Sequence, residues 1–394
     1  MYADPRASDS TDSRRDAVPA ASGASTASAT SGSDSTSRQH GPLSRDNAPI
    51  ELIILAGFLG SGKTSLLVDL LQSDDRGETG VIVNEAGEIG IDGVIVEDGS
   101  QNSVTMLANG CVCCSLRSSL VDTVMSLLDA SRPAGHGPLT RIVLETSGLS
   151  RPGPIIASLA DPLLSSRGLR ISVVSTYDCE RGLLNIESFD EAAAQLAAAQ
   201  RIVLTKIDLI APETVQEHLS AIRGVNPLAQ IVADADRTQA VRQAFTAAPA
   251  SDPVDLALQA LLSSDTRAQA HPRIHVLKGT RRAPAEWEDL SIWLDDLAGL
   301  CGDRLLRVKA VFNATDCDEP ILIQSVGTTF GMPRRMTQRT DTDDICVVIT
   351  RDIDAADINA AFPDAPVVLT AAAAFPFSQQ EAPPLRHFHR GHHA

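Results

Sequence analysis

Aromatic residues are scarce in this 394-residue chain: Phe, Trp and Tyr together make up 3%. Stacking platforms for single-stranded nucleic acid are therefore not expected. Basic charge is also short. The formal net charge is -17, with no concentrated basic stripe, whereas a phosphate-backbone binder needs a basic face. Nucleic acid is accordingly not expected as a partner. No run of about 18 apolar residues is present, so no membrane span is expected. The N-terminus lacks the apolar h-region of a secretory signal. Cysteines number seven, an odd and modest count that does not suit the disulfide framework of a small secreted domain. Reduced thiols in a cytoplasmic setting fit better.

Hydrophobic residues make up 43% of the chain, enough at this length for two domains with real cores. Residues 1–48 stand apart, rich in Ser, Ala, Asp, Thr and Gly with almost no large apolar residues. Such a segment cannot bury enough surface to offset its ordering entropy, and a disordered tail is expected. Order is expected from Pro49. Glu51–Leu55 is a short apolar run with a β-branched centre, the pattern of a buried parallel strand. Gly57-Phe-Leu-Gly-Ser-Gly62-Lys63-Thr64 follows, and Leu66, Leu67, Leu70 and Leu71 then recur at helical spacing.

A glycine-rich loop between strand and helix is the context in which this motif cradles phosphate. Gly57, Gly60, Ser61, Gly62 and Ser65 belong to the loop and the first helical turn. Glycines let backbone N–H groups turn inward around phosphate oxygens at the positive end of the helix. Lys63 is expected to reach the β- and γ-phosphates, and the Thr64 hydroxyl to bind Mg²⁺.

Val81–Val83 reads as the next strand, running into the acidic segment Asn84–Asp92. A switch loop near Mg²⁺ and a solvated acidic loop both fit that segment. Three of the seven cysteines, Cys111, Cys113 and Cys114, then fall within four positions. Ser115 is a plausible N-cap for a helix whose apolar face is Leu116, Leu120, Val121, Val124, Leu127 and Leu128. A helix N-terminus lowers a thiol's pKa and favours the metal-binding thiolate. Three thiolates leave a tetrahedral site one ligand short. Spacing leaves three readings open: a metal site, a redox dithiol, or small buried cysteines.

Arg141–Leu144 is a further strand, ending in Glu145-Thr146-Ser147-Gly148. Glu145 is placed to hold Mg²⁺ through water or to position the attacking water, and the Gly148 N–H to sense the γ-phosphate. Strands are expected at Leu169–Val174 and Arg201–Leu204, with helix at Ala192–Ala199 between them. Thr205-Lys206-Ile207-Asp208 follows the last strand and resembles the guanine-selecting N/T-K-x-D motif. Asp208 would accept two hydrogen bonds from guanine, which adenine cannot donate. Pro253–Leu262 reads as a short helix. Weak composition at Ser263–Ala270 suggests a boundary.

Beyond it, strands are expected at Arg273–Gly279, Leu305–Asn313, Pro320–Gly327 and Asp344–Thr350. Helices are expected at Glu286–Leu300 and Ala355–Phe362. That order suggests an antiparallel sheet with helices on one face. Cys346 reads as core and Cys317 as a turn residue. Four of the nine histidines lie at 387–393, where a loose metal site and a frayed polar tail both fit.

Taken together, GFLGSGKTSLL, NEAGEIGID, NGCVCC, ETSGLSRPGPII and TKID resemble the CobW-type family of metallochaperone GTPases. That family includes zinc chaperones and cobalamin-synthesis accessory proteins. DRLLRVKAVF, PILIQSVGTTF and ICVVITRDID resemble its C-terminal domain. The resemblance implies an α/β fold: a P-loop GTPase domain with a mostly parallel sheet flanked by helices, plus a smaller α+β C-terminal domain with an antiparallel sheet. The expected division is a tail at 1–48, the GTPase domain at 49–265, the C-terminal domain at 266–380 and a His-rich tail at 381–394.

By resemblance, Lys63, Thr64 and Glu145 serve hydrolysis, and Lys206 and Asp208 contact guanine. Cys111, Cys113 and Cys114 occupy the metal motif, with Glu88 as an additional ligand. The implied cofactors are GTP, Mg²⁺ and a transition metal; thiolates favour Zn²⁺, and Co²⁺ would be accepted. Hydrolysis is expected to be slow, since no catalytic Gln or arginine finger is evident. The implied partner is a client metalloprotein, and a homodimer is admitted. Ala86 stands where the family often has Phe, and Thr205 where many GTPases have Asn. The alternatives are a regulatory GTPase with structural or redox cysteines, and a P-loop kinase acting on a small molecule.

Overall fold

The computed structural model describes residues 50–74, 77–83, 103–106, 116–132, 136–246, 271–336 and 344–372, all within one compact unit spanning Ala48–Ala394. Strand β1 (Glu51–Gly57) sits at the centre of the first sheet. Leu52, Ile54 and Ala56 enter the core on one face, while Ile53 and Leu55 enter the core on the other. A strand buried on both faces needs an unbroken apolar run, which is what β1 has.

Around it lie β2 (Thr79–Val83), β3 (Ser103–Met106), β4 (Arg141–Glu145), β5 (Arg170–Asp178), β6 (Arg201–Thr205) and β7 (Gln230–Val232). The order across the sheet is β3-β2-β4-β1-β5-β6-β7, and every pairing is parallel. The chain leaves β1 outward to β2 and β3, returns to β4, then crosses to β5 on the opposite side. Ligands of such sheets bind at this reversal, outside the carboxyl ends of the strands. The ends of β1, β4, β5 and β6 are therefore the place to look.

One face of the sheet is covered by α1 (Lys63–Ser73), through Leu66, Leu67, Leu70 and Leu71, and by a helix at Arg237–Phe245. The other face carries α2 (Leu116–Asp129), α3 (Pro152–Leu159), α4 (Pro162–Ser166), α5 (Gly182–Ser188), α6 (Asp190–Ala198) and α7 (Val215–Val225); the Arg237–Phe245 helix is α8. Asp236 caps α8 by accepting from the Thr238 and Gln239 amides.

The second sheet runs β11-β10-β9-β13-β8-β14 and is antiparallel throughout. Its strands are β8 (Ile274–Arg281), β9 (Leu305–Phe312), β10 (Ile321–Val326), β11 (Thr329–Phe330), β13 (Ile345–Arg351) and β14 (Val367–Ala371), with β12 (Arg334–Arg335) paired to β10. Helices α9 (Trp287–Cys301) and α10 (Ala355–Ala361) cover one face, burying Leu290, Trp293, Leu297 and Ile358 against Val308, Ala310, Phe312 and Cys346. Ile274, Leu306, Val347 and Ile349, from the other face, join the core of the first sheet. Cys346 is core, as expected, and Cys317 is half-buried next to a turn.

The expected strands of both sheets are present, and the structure adds five more: β3, β7, β11, β12 and β14. β3 and β7 have four and three residues, and β11 and β12 two each, too short for a period to show; β14 is as long as β4 but lies at a sheet edge. Helices α3, α4, α5, α7 and α8 were also absent from the expectation; in α8 only Ala240, Val241, Ala244 and Phe245 mark the buried stripe. The Asn84–Asp92 loop, the Cys111–Cys114 segment, the Pro253–Leu262 helix and both tails lie outside the described residues.

His218 on α7 is buried, and its Nδ1 lies 2.9 Å from the Tyr177 Oη. Burial holds His218 below the ordinary imidazole pKa, and does the same for His271. A depressed folded-state value contributes stability that is present above the unfolded value, about 6.5, and is lost as pH falls below it. The urea midpoint should therefore drop between pH 7.5 and 5.5, and less steeply in His218→Gln. A midpoint that stays constant over that window contradicts this account.

Candidate functional site

The loop after β1 turns on glycines. Gly57, Gly60 and Gly62 all take positive φ, at 142°, 71° and 87°. At Gly57 space is limiting too, since a Cβ there would lie 2.1 Å from Thr176 Oγ1. The turn is tied to β5: Ser61 Oγ lies 2.7 Å from both the Phe58 carbonyl and Thr176 Oγ1. Lys63 is buried at the first position of α1, and its Nζ donates to the carbonyls of Gly57 at 2.8 Å and Phe58 at 3.2 Å. The ammonium is thereby folded back over the loop, at the positive end of the α1 dipole. Ser65 faces solvent in the same turn.

Thr64 and Glu145, 81 residues apart in sequence, meet here: Thr64 Oγ1 donates to Glu145 Oε1 at 2.6 Å. Glu145 ends β4 and is buried. A hydroxyl and a carboxylate side by side are hard oxygen donors of the kind Mg²⁺ prefers, so the pair fits that ion. Gly148 packs against the loop backbone; a Cβ there would sit 2.7 Å from Leu59 N and 2.8 Å from its Cα. Only glycine allows that approach.

The end of β6 locks onto the same loop. Thr205 Oγ1 lies 2.8 Å from the Ser61 carbonyl and 3.0 Å from that of Tyr177. Its one proton serves either of them, and both tie the β6 end to the loop. The threonine in place of asparagine thus still reaches the phosphate loop. Lys206 is in the left-handed region at φ 56°, and its Nζ donates to the buried Asp178 carboxylate at 2.7 Å, with Glu180 at 3.4 Å. That Asp178 hydrogen bond holds the Lys206 pKa above its ordinary value. Asp208 follows in a 3-10 turn at Ile207–Leu209 and is exposed. Burial, with the Asp178 and Asp208 charges, pushes the neighbouring Cys179 thiol up to about 12, which disfavours the reactive thiolate.

Lys63, Thr64, Glu145, Gly148, Lys206 and Asp208 thus share one edge of one sheet. Cys111, Cys113, Cys114 and Glu88 lie outside the described residues. Among the described residues, no group of three or more His, Cys, Asp or Glu side chains is placed to hold a metal ion.

Residues 51–233 match the family model described as CobW/HypB/UreG, nucleotide-binding domain, and residues 274–365 match the cobalamin synthesis protein cobW C-terminal domain. The two matches together cover well over half of the chain. The chain belongs to the CobW family.

This CobW-family chain is 35% identical over 182 residues to the zinc chaperone YjiA of Escherichia coli (strain K12), an alignment covering 46% of this chain and 57% of the relative. It is 33% identical over 188 residues to the zinc chaperone CobW of a Sinorhizobium species, covering 41% and 52%. The chain spans about half the length of the curated relatives it matches. In three dimensions it resembles the crystal structure of Zn(II)-bound YjiA GTPase from E. coli with a TM-score of 0.55 at 21% identity, over 80% of this chain and 99% of that one. At that identity the likeness concerns the fold.

Two residues of this CobW-family site were not among the expected ones. Asp178 ends β5 as Glu145 ends β4, and an acid closing a parallel strand was the available signal. Gln195 is buried on α6, and its Nε2 donates to the carbonyls of Gly148 and Ser150, each at 2.9 Å. Its signal was a lone amide in the alanine run 192–199.

Proposed function

We propose that this chain binds and slowly hydrolyses GTP, and that it uses the nucleotide cycle to load and release a transition-metal ion. The observation that carries the first half is the convergence of Lys63, the Thr64–Glu145 pair and the Asp178–Lys206 pair on one strand edge. Family membership and the relatives' names as zinc chaperones support the second half, with Zn²⁺ as the cargo and Co²⁺ as an acceptable substitute.

In this reading the amide groups of the Gly57–Lys63 loop and the Lys63 ammonium hold the β- and γ-phosphates. Thr64 and Glu145 would hold the accompanying Mg²⁺, whose charge offsets that of the phosphate oxygens. Glu145 orients water, and the Gly148 amide registers the γ-phosphate. Asp208 reads the guanine, and Asp178 fixes the Lys206 side chain beside it. Cys111, Cys113 and Cys114, with Glu88, bind the cargo. GTP and GDP states differ in metal affinity, and hydrolysis promotes transfer to a client metalloprotein in the cytoplasm. No helix among the described residues is long and apolar enough to cross a membrane.

The test is metal affinity in the two nucleotide states, read by competition with a chelating dye. Binding at least about tenfold tighter in one state, a coupling within the usual range, is expected. Equal affinity would defeat the transfer mechanism. Co²⁺-loaded protein should show thiolate-to-cobalt charge-transfer bands, weakened in Cys113→Ser. Bands unchanged in that variant would place the metal elsewhere.

A further inference from the structure

Helix α6 is held at three points by groups with different loyalties. Its middle belongs to the nucleotide edge. Gln195 donates both amide protons to the Gly148 and Ser150 carbonyls, and Glu191 accepts from Arg151, just beyond that loop, at 3.0 Å. Phe189, immediately before α6, lies against Phe58 of the phosphate loop with ring centroids 4.7 Å apart.

Its two ends are tied to the second sheet, the C-terminal one together with Asn226 at the end of α7, whose Nδ2 donates to the Leu196, Ala197 and Ala199 carbonyls. Asp190 pairs with Arg273 at 2.8 Å and with Arg351 of β13 at 3.1 Å. At the far end, Arg307 of β9 donates to the carbonyls of Ala197, Ala198 and Ala199. Those are the carbonyls a helix terminus leaves without intrahelical partners, and a guanidinium suits the negative end of the helix dipole.

Both side chains in this chain of contacts are costly. Arg307 is buried among carbonyls, and burial lowers its pKa to about 10. Its Nε and the Gln195 Oε1 are buried without hydrogen-bond partners. An apolar side chain at 307 would avoid that desolvation, and buried polar atoms left unpaired in a native structure ask for a reason. The helix also has somewhere to go. A groove of about 200 Å³ runs beside it, lined by Arg151, Gly153, Ala194, Ala198, Leu306 and Gly327 among others.

We propose that α6 is a positioning element for GTP hydrolysis: Arg307 sets the axial position of α6, and Gln195 passes that position to the Glu145–Gly148 loop. The second sheet thereby governs the hydrolytic step. Gln195 and Arg307 are positioning residues, since neither touches the nucleotide. The proposal rests on the GTP-hydrolysing reading given above.

The experiment uses the full chain and four variants: Gln195→Ala, Arg307→Met, their combination, and Arg307→Lys. GTP turnover and the Kd for GTP are measured for each. Each single change should lower kcat about tenfold while the Kd for GTP moves less than about threefold. The double variant should be no slower than the worse single one, because both changes cut the same relay. Arg307→Lys, which keeps a cation at the helix end, should recover part of the rate. Multiplying effects in the double variant, or a kcat unchanged in either single variant, overturn the relay. So does a Kd that weakens in step with kcat, which is the pattern of general loosening. If Gln195→Ala melts early, Gln195→Met, which keeps the volume, replaces it under the same criteria. A wild-type protein that does not turn over GTP would instead refute the reading beneath the proposal.

Discussion

Lys63→Ala is expected to raise the Kd for GTP by about 100-fold or more. The ammonium supplies charge-assisted hydrogen bonds to phosphate, worth roughly 1.5–3 kcal/mol each. Two of them amount to two or more powers of ten at about 1.4 kcal/mol per tenfold. The structure adds a second loss. Lys63 Nζ also closes the loop by donating to the Gly57 and Phe58 carbonyls, so the alanine variant loosens the cradle along with removing the charge. Titration calorimetry with a non-hydrolysable GTP analogue reads the effect, and circular dichroism confirms that the variant is folded. A folded variant with a Kd within threefold of wild type would mean that the Gly57–Thr64 loop is not the phosphate site.

The second large effect concerns the base. Asp208→Asn should weaken GTP binding about 100-fold and give the protein a preference for xanthosine triphosphate. The carboxylate accepts from guanine N1–H and from its exocyclic amine, two charge-assisted bonds of roughly 1.5–3 kcal/mol each. Asparagine can still accept from N1–H, but its amide N–H meets the amine donor to donor. Xanthine carries an oxygen at that position and restores the match. Asp208 is exposed in a turn whose preceding residue, Lys206, is clamped by Asp178, so the substitution should leave the fold intact. Competition against a fluorescent guanine nucleotide measures both arms. If GTP affinity and base preference are unchanged, guanine is read elsewhere and the Thr205–Asp208 turn is an ordinary strand end.

Much of this protein was legible before any coordinate. Short-range patterns carried it: the apolar run of β1 with its glycine loop and leucine-striped helix, and the acid three residues ahead of Gly148. Each is a contiguous segment whose chemistry follows from residue type and spacing. The short strands β3, β7, β11 and β12 escaped because two to four residues cannot display a period. Asp178 escaped because nothing local distinguishes it from any acid at a strand end until Lys206 is found 2.7 Å away.

What the sequence determined by itself was the kind of site. A phosphate loop, a C-x-C-C, an E-x-x-G and a T-K-x-D, in that order, point to a nucleotide site through the residues they contain, while the cysteine spacing left metal, redox and buried-core readings open. Only the tertiary structure decided how those parts are joined. Thr64 meets Glu145 across 81 residues of chain, and Arg307 reaches the end of α6 across about 110. Contacts of that range depend on which strands are neighbours and how the second sheet lies on the first. Those are properties of the packed core as a whole, set by the summed burial of many apolar side chains, and no local stretch of residues encodes them.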